Sequence, residues 1–163
     1  MRIERVVADA SPLIVLFKSG LADLLPGLFT EVIVPMPVRR EVLAQGQVDA
    51  ATAGLANARW TTSVENLPIP PTIAAWDLGA GESSVLAYAW NQPEVWAILD
   101  DRAARSCART LRIRTLGTVG VIVLAKRRGL IPSARKALAN MTDAGCWLSP
   151  DLVWAALIEA AEV

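Results

Sequence analysis

The chain is expected to fold as an α/β protein, with a central, mainly parallel sheet of about five strands covered by helices on both faces. Three observations predict this. Short β-branched runs alternate with helical stretches along the whole length. Several of those runs are continuously apolar, as strands buried on both faces must be. And 53% of the 163 residues are apolar, which supplies a sizeable core, while no stretch reaches the roughly 18 uninterrupted apolar residues of a membrane span. No repeat, low-complexity tract or long linker interrupts residues 1–163, so a single domain is expected.

Residues 2–8 alternate weakly and then become apolar through Val6-Val7-Ala8, a buried first strand that delivers Asp9 to the top of the sheet. Ser11 and Pro12 suit the N-cap and first position of a helix that ends near Lys18-Ser19-Gly20. Leu21 to Leu25 makes a short helical piece stopped by Pro26-Gly27. Glu31 to Pro35 is a second strand, and Pro37 opens a helix through Glu41 and Leu43 that Gly46 interrupts. Residues 48–57 are Ala-rich and helical. Trp60 to Val64 is a short edge strand, and Leu67 to Pro71 is an extended connector. A helix begins after Leu78-Gly79-Ala80-Gly81-Glu82. Val95 to Leu99 is a strand ending at Asp100-Asp101, followed by a helix whose buried stripe is Ala104, Cys107, Ala108 and Leu111. Ile113 to Leu116 is the fifth strand. Gly117-Thr118 starts a helix that is apolar all round at Val121 to Leu124 and closes at Lys126-Arg127-Arg128-Gly129. Two more helices, at about 132–144 and 150–161, complete the chain.

Composition narrows the chemistry. There is no histidine, which removes histidine triads, histidine-ligated zinc enzymes and most histidine acid–base mechanisms. Two cysteines, Cys107 and Cys146, make neither a disulfide framework nor a Cys-rich metal site, and read as reduced thiols of a cytoplasmic protein. Glu4 stands where a secretory signal needs its basic and apolar regions, so no signal peptide is expected. The net charge is zero, so a nucleic-acid partner would need a local basic patch.

Most of the sixteen acids read as surface groups. Asp9 differs because it directly follows a buried strand, and Asp100 repeats that placement. Glu82 lies in the first turn of a helix after two glycines, and Glu41 lies one turn into the helix after the second strand. In a parallel sheet, ligands bind outside the C-terminal strand ends. Carboxylates gathered there repel each other and are costly to desolvate, and a divalent cation removes both penalties. Oxygen-only ligation suits Mg²⁺ or Mn²⁺, with Asp9, Glu82 and Asp100 as candidate metal ligands. For Glu41 and Glu82, a favourable place near a helix dipole is the competing explanation. Asp101 is either an alternative ligand or the cap of the helix beside it. Ser11 is placed to bond either the Asp9 carboxylate or exposed helix N–H groups.

Val7-Ala8-Asp9-Ala10-Ser11-Pro12, the Glu41 helix, Leu78-Gly79-Ala80-Gly81-Glu82, Leu99-Asp100-Asp101-Arg102 with Arg105, and Leu116-Gly117-Thr118 follow one another in an order that resembles PIN-domain proteins, most closely the VapC-like nuclease subgroup. The resemblance runs from residue 5 to about 160. It implies a three-layer α/β/α fold and Mg²⁺- or Mn²⁺-dependent endoribonuclease chemistry, commonly as the toxin of a toxin–antitoxin pair with a small antitoxin protein as partner. Carried over by position, it implies Asp9, Glu41, Glu82 and Asp100 as the four acidic catalytic residues, with Ser11 as the supporting hydroxyl. The chain departs from many relatives in having Glu rather than Asp at position 82 and in the spacing of its last acidic pair.

Arg102, Arg105, Arg109 and Arg112 recur at helical spacing after Asp100, and Arg39 and Arg40 flank Glu41. Arg105, Arg102 and Arg40 are candidates to bind RNA phosphates, beside the plainer reading of a solvated face. Thr118 opens a helix where free N–H groups can take phosphate or simply be capped. The tryptophans are expected in core or subunit packing, with Trp147 and Trp154 on a homodimer surface. The competing function is a catalytically weak or inactive PIN-like module that binds nucleic acid or protein. A phosphotransfer domain is disfavoured, since Ser11 stands where haloacid-dehalogenase-type phosphatases need a second Asp.

Overall fold

A computed structural model describes residues 2–46, 49–65 and 67–163. In chain order the elements are β1 (Arg5–Ala8), α1 (Ala10–Lys18), α2 (Leu24–Leu28), β2 (Glu31–Pro35), α3 (Met36–Leu43), α4 (Ala50–Asn57), β3 (Thr61–Val64), α5 (Pro71–Ala74), α6 (Ala80–Asn91), β4 (Val95–Ile98), α7 (Arg102–Thr110), β5 (Thr115–Leu116), α8 (Thr118–Arg127), α9 (Ala134–Asp143) and α10 (Pro150–Glu159). The five strands form one sheet in the order β3-β2-β1-β4-β5, and every pairing is parallel. Helices flank it, giving the three-layer α/β/α architecture the sequence predicts.

Parallel neighbours need crossovers, and the intervening helices supply them. The chain winds outward from β1 to β3, then returns to lay β4 on the free side of β1 and β5 beyond it. The reversal of direction therefore falls between β1 and β4, where an open α/β sheet leaves a crevice at its C-terminal edge. Ala8 pairs with Ile98, and the Asp9 amide donates to the Ile98 carbonyl at 3.1 Å. Asp9 and Asp100 thus leave adjacent strands at nearly the same level. Val6, Val7 and Ala8 have no exposed surface, nor do Ala97, Ile98 and Leu99, so both strands delivering acids are fixed in the core. The edges are blunted: β3 is the polar Thr-Thr-Ser-Val and β5 is two residues long.

Several local expectations need correction. Helix α1 begins at Ala10, with Asp9 as its N-cap, so Ser11 and Pro12 sit inside the first turn. Pro26 and Gly27 do not stop α2 but lie within it. Pro26 is its third residue, where no intrahelical N–H is required. Pro71 ends the extended connector and opens the short α5, a position that suits proline. The helix expected over 48–57 runs from Ala50; Val48 lies outside the described residues.

The arginine row also changes. Arg112 lies past the end of α7 with φ +58°, and the Ile113 amide closes onto the Ala108 carbonyl while the Arg112 amide closes onto that of Arg109. This is a Schellman ending with an arginine in the left-handed position that favours glycine. Arg112→Gly is expected to stabilise the fold by about 0.5–1 kcal/mol, read as a raised denaturation midpoint. The opposite sign is expected at Gly54 of α4. A Cβ there would stand 2.6 Å from Cε1 of Phe17, whose ring stacks on Trp60 with centroids 6.0 Å apart. Gly54→Ala should cost about 1–3 kcal/mol by overpacking the contact of α4 with α1, checked by the same denaturation curve.

Candidate active site

Asp9 is 2% exposed, and its Oδ1 has no hydrogen-bond partner. A buried carboxylate oxygen without a donor is costly and needs a reason. The local reason is its position. As N-cap of α1 its side chain makes no capping bond and points into the crevice instead. Burial pushes the carboxyl up to about 7, and nearby Glu82, Glu41 and Asp100 push in the same direction, against a smaller opposing pull from the Ala10 amide.

Glu41 and Glu82 arrive from two helices. Gly81 is buried in the first turn of α6, and its missing side chain leaves space beside Glu41 and Asp9. A Cβ at Gly81 would stand 2.9 Å from Glu41 Oε2 and 3.2 Å from Asp9 Oδ1, so both oxygens border one small space. Glu41 is exposed at its outer side, yet partial burial and the neighbouring Glu82 raise its carboxyl above the usual range. Glu82 occupies the third position of α6, and its Oε2 curls back over the N-cap glycine, Gly79. That is where an acid favours the helix dipole, so Glu82 serves the helix terminus and the acidic crevice together.

Asp100 is oriented differently. Its Oδ1 accepts the Thr118 backbone N–H at 2.8 Å and its Oδ2 accepts the Thr118 hydroxyl. The start of α8 is therefore capped by Asp100, which answers the open question about Thr118: its amide and hydroxyl hold a carboxylate of this chain. Asp101 caps α7, accepting from the Ala104 amide at 2.8 Å. Arg105 donates to the Leu99 carbonyl at 3.0 Å, and a Cβ on Gly117 would touch both Arg105 Nη1 and Asp100 Oδ1, at 3.0 and 3.2 Å. The cation is thus seated beside Asp100 at the rim. Arg102 and Arg40 are exposed, Arg102 on the first turn of α7 and Arg40 on α3. Arg39 turns to β3, where it donates to Thr61 Oγ1 at 2.9 Å. Ser11 is exposed, and its hydroxyl does not bond the unpartnered Asp9 Oδ1.

A family model described as PIN domain matches residues 5–162, nearly the whole chain. The chain belongs to the PIN-domain family. No curated protein and no solved structure matches it. PIN domains are generally nucleases, which supports a hydrolase as the coarse class of activity.

Within this PIN domain the acids converge without closing. Among the described residues, no three His, Cys, Asp or Glu side chains stand as a ready metal cluster, so the expected direct ligation by Asp9, Glu82 and Asp100 together is not preformed. The donor set nonetheless fits a hard, strongly hydrated cation. Mg²⁺ keeps several waters and needs only one or two carboxylates from protein, with substrate phosphate completing its shell. The unpartnered, buried Asp9 Oδ1 facing three further acids meets that requirement.

No motif or spacing in the chain points to Cys146 as part of this neighbourhood. Partial burial and, to a smaller extent, the Asp100 charge raise its thiol, which places the start of the 146–149 segment near the acidic rim. Forty-six positions separate the two residues, and no local pattern links them.

Proposed function

We propose that this PIN domain is a metal-dependent endoribonuclease, the toxin of a toxin–antitoxin pair, using Mg²⁺ or Mn²⁺ to cleave single-stranded RNA. The observation that carries this reading is the buried Asp9 carboxylate, unpartnered at Oδ1 and surrounded by like charges at the sheet's switch point. When bound, a divalent cation offsets phosphate charge and activates water for attack. Asp9 provides the principal oxygen donor. Glu82 and Glu41 concentrate negative charge around it and orient water. Asp100, fixed by Thr118, lines the same rim, and Arg105 beside it draws in a phosphate and offsets charge that develops during cleavage.

Partner contacts belong to the same reading. Trp154 and Ile158, one turn apart on α10, are 57% and 52% exposed, and Trp147 just before that helix is 82% exposed; these apolar side chains suit contact with a second copy of the chain or with a small antitoxin. No helix among the described residues is long and apolar enough to cross a membrane.

A second reading, a PIN-like module that binds RNA without cutting it, is favoured by the engagement of both Asp100 oxygens with Thr118. A Mn²⁺ titration of RNA cleavage with wild type and Asp9→Asn separates the two. Cleavage that appears with Mn²⁺ and is lost in the variant supports the nuclease. RNA binding with no cleavage at any Mn²⁺ concentration supports the binding module.

A further inference from the structure

The acidic crevice does not end at Asp100. Beyond it a groove of about 550 Å³ runs between β5, α8 and α10, and Asp100 and Arg105 line its near end. Its walls are aliphatic, from Leu116, Val119 and Val123 on one side to Leu152 and Ala155 on the other. Two glycines line it without side chains, Gly117 at the N-cap of α8 and Gly120 in the first turn of that helix. At Gly120 a Cβ would stand 2.7 Å from Leu116 Cδ1, so there is no room for a side chain there as the neighbours now lie. The polar side chains farther along are Thr115 and Glu159. Glu159 is mostly exposed and reaches Arg127 only at 4.0 Å, which leaves its oxygens able to accept other donors.

We propose that this groove seats one base of the single-stranded RNA substrate, with the adjoining phosphate at Arg105, and that Glu159 selects bases carrying an amino group. The inference rests on the ribonuclease reading and specifies its substrate. Three observations carry it. The groove is continuous with the candidate active site through two shared residues. Its order of a cation followed by an aliphatic groove matches a phosphate followed by a base. Its volume lies in the range that holds small ligands. The Glu159 carboxylate accepts hydrogen bonds and donates none, so it suits the amino groups of cytosine, adenine and guanine. Uracil offers one N–H flanked by two carbonyls, which the carboxylate repels.

The test uses the full chain and two variants outside the catalytic machinery. Ala155→Trp fills the groove from an exposed position of α10, and Glu159→Gln changes its polarity with little change in volume. Binding of CMP, AMP, GMP and UMP is followed by NMR titration in EDTA, and cleavage of a mixed-sequence single-stranded RNA is mapped with Mn²⁺. The expected result is about fivefold weaker binding of UMP than of the other three, on the scale of a single polar base contact. Ala155→Trp should weaken all four about tenfold or more, and Glu159→Gln should erase the preference. Equal binding of all four, no mononucleotide binding, or wild-type binding in Ala155→Trp overturns the proposal. If RNA is cut with an unchanged base pattern in both variants, the groove proposal fails and the nuclease stands. If selective binding is seen but wild type never cuts RNA, the nuclease reading fails and the groove stands.

Discussion

Asp9→Asn is expected to lower Mn²⁺-dependent RNA cleavage by at least about a hundredfold while raising the stability of the metal-free protein at pH 8. Both effects come from one oxygen. In the folded chain the Asp9 carboxyl sits at about 7, against an ordinary value of 3.8, because burial and three neighbouring acids oppose its charge. A group whose pKa is raised by folding favours the folded state while protonated, and that contribution is lost as pH rises from the unfolded value through the folded one. Wild type should therefore lose stability between about pH 4 and pH 7, by up to about 4 kcal/mol at 1.36 kcal/mol per pH unit. Asparagine has no charge to desolvate, so the variant should keep most of that stability at pH 8. Glu41 shifts in the same direction and leaves a residual slope in both proteins. Glu162 works oppositely. Its carboxylate accepts the Arg135 and Ala134 amides at the start of α9, which helps hold it down at about 2. Its contribution is present above the ordinary glutamate value and is lost as pH falls toward 2. Thermal melts from pH 2 to pH 8 check both signs. A wild-type melting temperature that is flat from pH 4 to 7, or an Asp9→Asn variant less stable than wild type at pH 8, would contradict the picture of Asp9.

Gly81→Ala carries the second large effect. Its Cβ would enter the space bordered by Glu41 Oε2 and Asp9 Oδ1, at 2.9 and 3.2 Å. Glu41 can swing outward, but Asp9 is held in the core and cannot retreat. The methyl group therefore crowds the unpartnered oxygen and should reduce Mn²⁺ affinity and cleavage by about tenfold or more, on the scale seen when a metal site's supporting shell is disturbed. Alanine is also the better helix former, by up to about 1 kcal/mol, so the protein should remain folded. Lost activity with near-normal melting is the expected combination, measured by cleavage rate and thermal denaturation on one preparation. Unchanged cleavage would mean that this space is not used.

Sequence periodicity made the layer architecture legible because it reports burial directly. Val6-Val7-Ala8 and Val95 to Leu99 are apolar on both faces, and only central parallel strands need that. The same logic singled out Asp9 and Asp100, since each directly follows such a run, although Asp100 also caps α8. Contacts between segments far apart in sequence were not legible. Nothing in Asp100 or Thr118 alone indicates that one caps the other across 18 positions. The glycine motif around Glu82 hid a different fact, that Gly81 matters for the volume it leaves to Asp9 and Glu41. The helix start misjudged at Ser11 has a physical reason too: Asp9 adopts the extended N-cap backbone while its side chain is committed elsewhere. Pro26 misled because its effect depends on its place within the helix, which composition cannot give.

The central claim is that Asp9 supplies the oxygen around which a divalent cation is held. Mn²⁺ binding at pH 8 without RNA, followed by electron paramagnetic resonance in wild type and Asp9→Asn, tests it most directly. The expected result is saturable binding to wild type that weakens at least about tenfold in the variant. Equal binding to the two proteins, or none to wild type, would contradict it.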